Sequence, residues 1–181
     1  ILENKSYDFE NSFGKIANYN NNFVKVHTTF FNCYLDNKNV KEKFLELTDS
    51  QEFNNARYMF FYINFLLSKN YNNKEVLKIL EDKIKKTNKN LLLDQTKSWL
   101  EKGNINAIKK TFDCKNPNHL IAEFFYLIAG LYSSDGDYKL SNFFLNLSVH
   151  LNPDFIFNNI LLAENYIAMK DYKNSKKIFM K

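Results

Sequence analysis

The chain has few of the residues that make tight turns and few of those that make redox or metal sites. Its 181 residues include only 4 glycines and 2 prolines, which argues against a mainly β protein and leaves little room for a glycine-rich phosphate loop. Its 2 cysteines, Cys33 and Cys114, have no CxxC context. We therefore expect two buried thiols, and the alternative, a disulfide, would have to join different hairpins of the chain.

Arginine and long apolar runs are also scarce. Arg57 is the single arginine, so the net charge of +5 depends almost entirely on lysine. A basic chain can bind nucleic acid, but an excess of Lys, Asn, Phe, Tyr and Ile is also typical of an AT-rich genome, and we favour this second explanation. The apolar run at residues 59–67 contains Asn64 and is far shorter than the roughly 20 residues that span a bilayer, so no membrane span is expected.

The chain begins with Ile1 rather than Met, and no segment that resembles a secretion signal follows. We therefore expect it to be a piece of a longer protein. A cytoplasmic location is favoured, and a periplasmic location or an anchored parent protein stays open.

Aromatic residues make up 17% of the chain and hydrophobic residues 45%, and they recur at helical spacing. The pattern predicts helices over residues 9–16, 23–35, 40–47, 53–69, 74–86, 91–101 and 105–112. Residues 5–8 are expected to lead into the first of these helices. Turn signals recur at a nearly constant spacing, before Tyr7, Val40, Val76, Ile105, Tyr138 and Tyr172. We therefore predict an all-α protein, built as one array of helical hairpins.

The clearest repeat lies in the last third of the chain. Seven positions carry the same residue 34 positions later: Leu127 and Leu161, Ala129 and Ala163, Tyr132 and Tyr166, Asp137 and Asp171, Tyr138 and Tyr172, Lys139 and Lys173, and Ser141 and Ser175. A constant offset of this length is typical of stacked helix-turn-helix repeats. Between the two helices of the first copy, Gly136 suits the left-handed residue that ends a helix, and Asp137 can cap the next helix.

These positions resemble the tetratricopeptide repeat. The residues that match its W-x2-LG-x2-Y, A-x3-F and P signals are Phe125, Ile128, Ala129, Tyr132, Ser141, Leu145 and Pro153, followed in the second copy by Asn159, Leu162, Ala163, Tyr166, Ser175 and Phe179. The departures are Phe or Asn for Trp, Ala for Gly, and Ser for Ala. The resemblance covers residues 122–181, about a third of the chain.

The resemblance implies a right-handed α-solenoid of antiparallel helix pairs, a TPR-like superhelix. Residues 1–117 are expected to form degenerate TPR-like hairpins, and residues 118–181 two regular repeats, the last of them truncated. The expected hinge is the segment 113–118. Ile178 and Phe179 would lack a neighbour in such an array, and its open ends could lead to self-association.

In this family the first helix of each hairpin lines a concave groove. Carried over, the groove residues are Glu123, Tyr126, Gly130, Ser133, Phe157, Ile160, Glu164 and Ile167. Groove members that clamp a terminal carboxylate use Lys and Asn at such positions, whereas two of these residues are glutamates, so an apolar or basic segment is the expected ligand. The resemblance thus implies a non-catalytic scaffold for protein–protein interaction, with a protein or peptide partner whose identity stays open.

No pattern in the sequence points to catalysis, a metal or a cofactor. The three histidines, His27, His119 and His150, form no HExxH or HxxxH pair. Cys114 and His119 could supply only half of a metal site, and no second half has suitable spacing. We therefore expect no enzyme activity, no cofactor and no bound metal.

The alternative function is an RNA-binding helical repeat. The basic residues near Lys83, and Lys176 with Lys177, have aromatic residues nearby and could grip phosphate and stack bases. We favour solvated helix ends, where cations oppose the helix dipole. A code-reading array would also need a recurrent polar pair, which the repeat lacks. Nucleic acid is therefore not the expected partner.

Overall fold

The structure is a computed structural model that describes residues 21–49, 55–85 and 89–180. These residues form ten helices and no strand, which confirms the all-α prediction. The helices are α1 (Asn21–Leu35), α2 (Val40–Asp49), α3 (Asn55–Ser68), α4 (Asn73–Ile84), α5 (Leu91–Glu101), α6 (Ile105–Thr111), α7 (Pro117–Ser134), α8 (Tyr138–Leu151), α9 (Asn158–Ala168) and α10 (Tyr172–Phe179). The predicted helix over residues 9–16, with its entrance at 5–8, lies outside the described residues.

The same backbone turn follows α1, α3, α5, α7 and α9. Each turn contains one residue with a positive φ; in chain order these are Asp36, Asn70, Gly103, Gly136 and Lys170. In all five turns the N–H of the next residue donates to the carbonyl five residues earlier, over 2.8–3.1 Å. This bond, together with the left-handed residue, is the Schellman motif that ends helices. The even spacing of the five turns shows that the period extends beyond the segment that carries the repeat motif.

The second helices of the hairpins begin with the same regularity. Val40, Asn73, Ile105, Tyr138 and Tyr172 start α2, α4, α6, α8 and α10 at nearly equal intervals. The predicted helix over residues 74–86 starts one residue after the observed start of α4, whereas the start that turn spacing assigned to Val76 lies three residues inside the helix. Asn72 caps α4, because its side-chain oxygen accepts from the Lys74 N–H over 2.9 Å. The prediction took the first apolar residue as the start and missed the polar cap ahead of it.

The chain divides into two compact units, Ile1–Lys109 and Lys110–Lys181. In the first unit α3 is central: it contacts α2, α4 and α5, and every side chain at positions 56–67 is buried. Aromatic rings fill much of this core. Phe30 meets Phe61 edge to face with ring centroids 5.3 Å apart, and Phe44 stacks on Phe65 at the same separation. The predicted boundary between 117 and 118 followed the repeat motif and stays a prediction.

Within the first unit, successive hairpins meet at matching ends. Lys69, after α3, forms an ion pair with Asp36 in the turn after α1. At the other end, Lys83 of α4 contacts the Thr48 carbonyl and Asp49 of α2. Contacts between equivalent positions at both ends place the hairpins α1–α2 and α3–α4 side by side in the same orientation.

In the second unit, α7 and α8 form one pair, α9 and α10 form the next, and α9 contacts both helices of the first pair. Hydrogen bonds set the direction of α8 against α7. Ser141 Oγ donates to the Ala129 carbonyl and Ser148 Oγ to the Ala122 carbonyl, over 2.8 and 2.7 Å. Seven residues forward along α8 correspond to seven residues backward along α7, so the two helices are antiparallel.

The same two serines bind α9. Asn158 Nδ2 donates to Ser148 Oγ over 2.9 Å, and Asn165 Nδ2 donates to Ser141 Oγ over 2.7 Å. The spacing is again seven residues in opposite directions, which makes α9 antiparallel to α8 and therefore parallel to α7. We call Ser141, Ser148, Asn158 and Asn165 the serine–asparagine ladder; all four side chains are buried.

Both cysteines are buried, but neither is a free thiol, because Cys33 and Cys114 are both disulfide-bonded. The expectation of two buried thiols is therefore wrong. Neighbouring residues in sequence can indicate a metal or redox motif, but they do not indicate which sulfur atoms the fold brings within bonding distance.

Candidate functional site

The eight predicted groove residues differ widely in exposure. Glu123 is only 2% exposed, so its carboxylate does not reach the surface. Tyr126 is partly buried and packs against the cluster of Ala129, Leu145 and Leu162. At the other extreme, Glu164 and Ile167 are exposed on α9. The most accessible part of the predicted groove is therefore on α9 rather than on α7.

Gly130 and Ser133 lie on α7 near its end, and both are partly buried. A Cβ atom added to Gly130 would meet no atom within 4 Å, so there is open space above the helix backbone at this point. Ser133 Oγ donates to Asn165 Oδ1 over 2.7 Å, which joins α7 to α9. These two first helices are thus neighbours on the side that carries the predicted groove residues.

The remaining predicted residues, Phe157 and Ile160, line one cavity in the second unit. The cavity has a volume of about 540 Å³, within the range of ligand pockets. Its lining comes from the end of α8, the connection to α9, and from α9 and α10: Val149, Pro153, Ile156, Phe157, Asn159, Ile160, Ile178 and Phe179. Ile156 and Phe179 are 62% and 65% exposed, so the cavity opens to solvent. No lining side chain is titratable, which suits apolar binding rather than acid–base chemistry.

The helix pair α7–α8 shows what covers the equivalent surface one repeat earlier. Residues 34 positions before Ile160, Ile178 and Phe179 are Tyr126, Phe144 and Leu145. These three pack in the cluster to which α9 contributes Leu162, and Leu145 is fully buried there. The face that α9 covers on the first pair is thus open on the second.

Burial lowers the pKa of two of the three histidines, His27 and His119. Burial lowers the pKa of His27 to about 4, so this side chain is neutral at neutral pH. Burial also lowers the pKa of His119, although Asp113 and Asp154 act in the opposite direction. His119 Nδ1 accepts from the Asp113 N–H over 2.9 Å. Among residues 21–49, 55–85 and 89–180, no group of three or more His, Cys, Asp or Glu side chains is placed to hold a metal ion.

Several residues that shape this region are not among the predicted site residues. Asn158 and Asn165 were assigned no role, although they bind α9 to α8. Val149 and Ile156 were also missed as cavity-lining residues. A search for amides at seven-residue spacing on a helix face would have found the two asparagines. The comparison between repeats could not find them, because Phe124 and Leu131 occupy the positions 34 residues earlier.

No protein-family model, curated protein or solved structure matches this chain. The tetratricopeptide resemblance therefore stays a hypothesis that depends on the motif positions. In the part of the chain that the structure describes, no helix combines the length and the apolar character needed to cross a membrane.

Proposed function

We propose that the chain is a non-catalytic helical-repeat scaffold, a right-handed solenoid of the tetratricopeptide type, that binds a protein partner. The observation that carries this proposal is the apolar cavity of about 540 Å³ between α8, α9 and α10. It opens to solvent, it includes two of the predicted groove residues, and its lining offers surface for packing but no acid, base or nucleophile. Concave, mostly apolar surfaces with a few polar groups are typical of binding sites.

The regular hairpins support the solenoid part of the proposal. Five turns of one type recur at nearly equal spacing, and the ion pair between Asp36 and Lys69 joins equivalent ends of two neighbouring hairpins. In the second unit the ladder makes α9 parallel to α7. Such stacking is how solenoids build extended binding surfaces.

Photocrosslinking tests this function. Benzoylphenylalanine replaces the exposed Ile167 in one sample, and Lys139, which is exposed outside the predicted groove, in the matched control. We expect a protein that crosslinks at position 167 and not at position 139. That protein is then identified, purified and titrated against the wild-type chain.

The titration includes Glu164→Lys alone and together with Tyr126→Ala. Glu164 is exposed, so its change should leave the fold intact, whereas Tyr126 packs against the core and needs circular dichroism as a control. We expect affinity to fall by about tenfold or more in the double variant, as at interface hot spots. Undiminished binding would show that the groove assignment is wrong.

RNA binding receives less support from the described lysines. Lys83 contacts the Thr48 carbonyl and Asp49, and Lys85 is paired with Asp82. The Lys83 side chain is only 17% exposed, so it is less available to a phosphate. Fluorescence anisotropy with mixed single-stranded RNA tests the alternative: affinity that falls steeply with salt would favour RNA binding, and no binding at low salt would remove it.

A further inference from the structure

We infer that mild acid opens the connection between α6 and α7, because a hydrogen bond that holds the connection closed exists only while His119 is neutral. The connection comprises residues 112–116 and overlaps the segment 113–118, which the sequence indicates as a hinge. It leads directly into α7, the helix that carries four of the predicted groove residues. The inference does not depend on the proposed scaffold function.

The hydrogen bond joins the connection to the first turn of α7. The Asp113 N–H donates to His119 Nδ1 over 2.9 Å. A backbone N–H can only donate, so Nδ1 carries no proton and the neutral ring has its proton on Nε2. An imidazolium carries a proton on both nitrogens and offers no acceptor. Protonation of His119 therefore removes this bond and turns two donors towards each other.

Other hydrogen bonds shape the same connection without a titrating imidazole. The Lys115 N–H donates to Asp113 Oδ1 over 2.8 Å, and the Asn116 N–H donates to the Asp113 carbonyl over 3.0 Å. Asn116 caps α7 by accepting from the Asn118 N–H over 3.0 Å. Histidine is the side chain that normally titrates between about pH 5 and pH 8. Mild acid therefore acts on the bond between Asp113 and His119 and leaves these shorter bonds in place.

The position of the imidazole is fixed by packing as well. The ring of Phe112, a buried residue, lies beside it with ring centroids 6.1 Å apart. An imidazolium in this position would lose hydration that it keeps in an open connection. Both the lost acceptor and the apolar neighbour thus favour opening once the ring is charged.

The charged groups around His119 decide the pH at which this happens. Burial, the largest influence, lowers the pKa of His119, and the Asp113 and Asp154 carboxylates oppose it. Asp154 also forms an ion pair with Lys110 of α6 over 3.0 Å, and Glu123 follows one turn later on α7. Because the pKa in the fold lies below the value of about 6.5 of an unfolded histidine, the open connection binds a proton more readily. The closed connection is therefore most stable above this value and loses stability as the pH falls towards the pKa in the fold.

NMR on the wild-type chain is the first test. Long-range proton–nitrogen correlations report which ring nitrogen of His119 carries the proton. At neutral pH we expect a protonated Nε2 and an unprotonated Nδ1. A proton on Nδ1 at neutral pH would overturn the inference without any variant.

Hydrogen exchange of the Asp113 amide measures the opening itself. Opening is coupled to the uptake of one proton, so the protection factor should fall by up to about tenfold per pH unit below roughly pH 6.5. The fall should stop at the pH at which the His119 ring is half titrated in the folded chain. Constant protection, or a fall that continues well below this pH, would contradict the inference.

The decisive variant is His119→Asn, because Asn Oδ1 is an acceptor that does not titrate. Asp113 should stay protected in this variant, and its protection should no longer depend on pH in this range. His150→Asn removes an exposed histidine at the end of α8 and should keep the pH dependence of the wild type. The same fall in His119→Asn would assign the effect to another group and overturn the inference. Circular dichroism checks that both variants fold, and the wild-type measurements stand on their own if one does not.

Discussion

The two helix pairs of the second unit have the same local design and different surroundings. Asp137 and Asp171 cap the second helix of each pair through a bond of 3.1 Å to the N–H three residues later. However, Leu145 is fully buried under α9, whereas Phe179, its counterpart in the next repeat, is largely exposed. The repeat thus determines helix ends and turns, and a neighbouring helix determines which apolar side chains form a core.

The largest expected effect on stability is at Leu145, and its exposed counterpart Phe179 provides the comparison. Leu145→Ala should lower the free energy of unfolding by about 3 kcal/mol, since it leaves a cavity among Ala129, Leu162 and their neighbours. Phe179→Ala should change it by less than about 0.5 kcal/mol, because the ring is mostly in solvent. Urea denaturation followed by circular dichroism measures both. Equal losses would mean that the second face is not open in solution.

The next effect concerns the ladder that attaches α9 to the first pair. Asn165→Ala removes the side chain that bonds Ser133, Ser141 and Asn142, and leaves buried polar groups unsatisfied. We expect a loss of about 2–3 kcal/mol in the same denaturation assay.

Glu164→Ala, one residue away and exposed, is the matched control and should be nearly neutral. Adding Ser141→Ala to Asn165→Ala should cost less than the sum of the single changes, because the two side chains share a hydrogen bond. Additive losses would mean that the ladder does not act as a unit.

Substitutions in the turns after α7 and α9 should have smaller effects on stability, and these effects should be opposite in sign. Lys170 has a φ of 60°, and its counterpart Gly136 a φ of 81°, a region in which residues with a side chain are strained. Lys170→Gly should therefore raise the free energy of unfolding by about 1 kcal/mol, and Gly136→Ala should lower it by about 1 kcal/mol. Thermal denaturation checks both, and changes of the same sign would contradict the equivalence of the turns.

The smallest expected effect is at Gly130, whose counterpart in α9 is Glu164. A methyl group added at Gly130 meets open space within a helix, so Gly130→Ala should stabilise α7 by roughly 0.5–1 kcal/mol. If the partner approaches this backbone, the same change should weaken its binding in the titration described above. A stability gain without any loss of affinity would place the partner elsewhere on the surface.

The sequence predicted the local structure better than the tertiary contacts. The predicted helix over residues 91–101 agrees with α5 at both ends, because Asn90 caps it with bonds to two N–H groups and Gly103 follows it. The start that turn spacing assigned to α4, Val76, lies three residues inside the helix, because the cap Asn72 is followed by three polar residues. Helix caps and stripes depend on residues close in sequence, and a pattern can therefore indicate them.

The contacts of Asn165 and the state of the cysteines could not be predicted in the same way. Asn165 bonds Ser141 and Asn142 on another helix, and its own counterpart in the repeat is Leu131, so the comparison between repeats gives no signal. Glu123 was placed in the groove from a family position, but its burial depends on how α7 packs. Such features follow from which helices become neighbours, and the pattern of a single sequence carries little information about that.

The turn that recurs after every first helix has a further consequence. Its hydrogen bond spans only five residues, and the left-handed position is occupied by Asp, Asn, Gly or Lys. The residues that end the first helix of each hairpin therefore lie within a short stretch of the chain. A block one repeat long, duplicated or deleted between two such turns, would change the number of hairpins while it left the turns of the remaining hairpins unchanged.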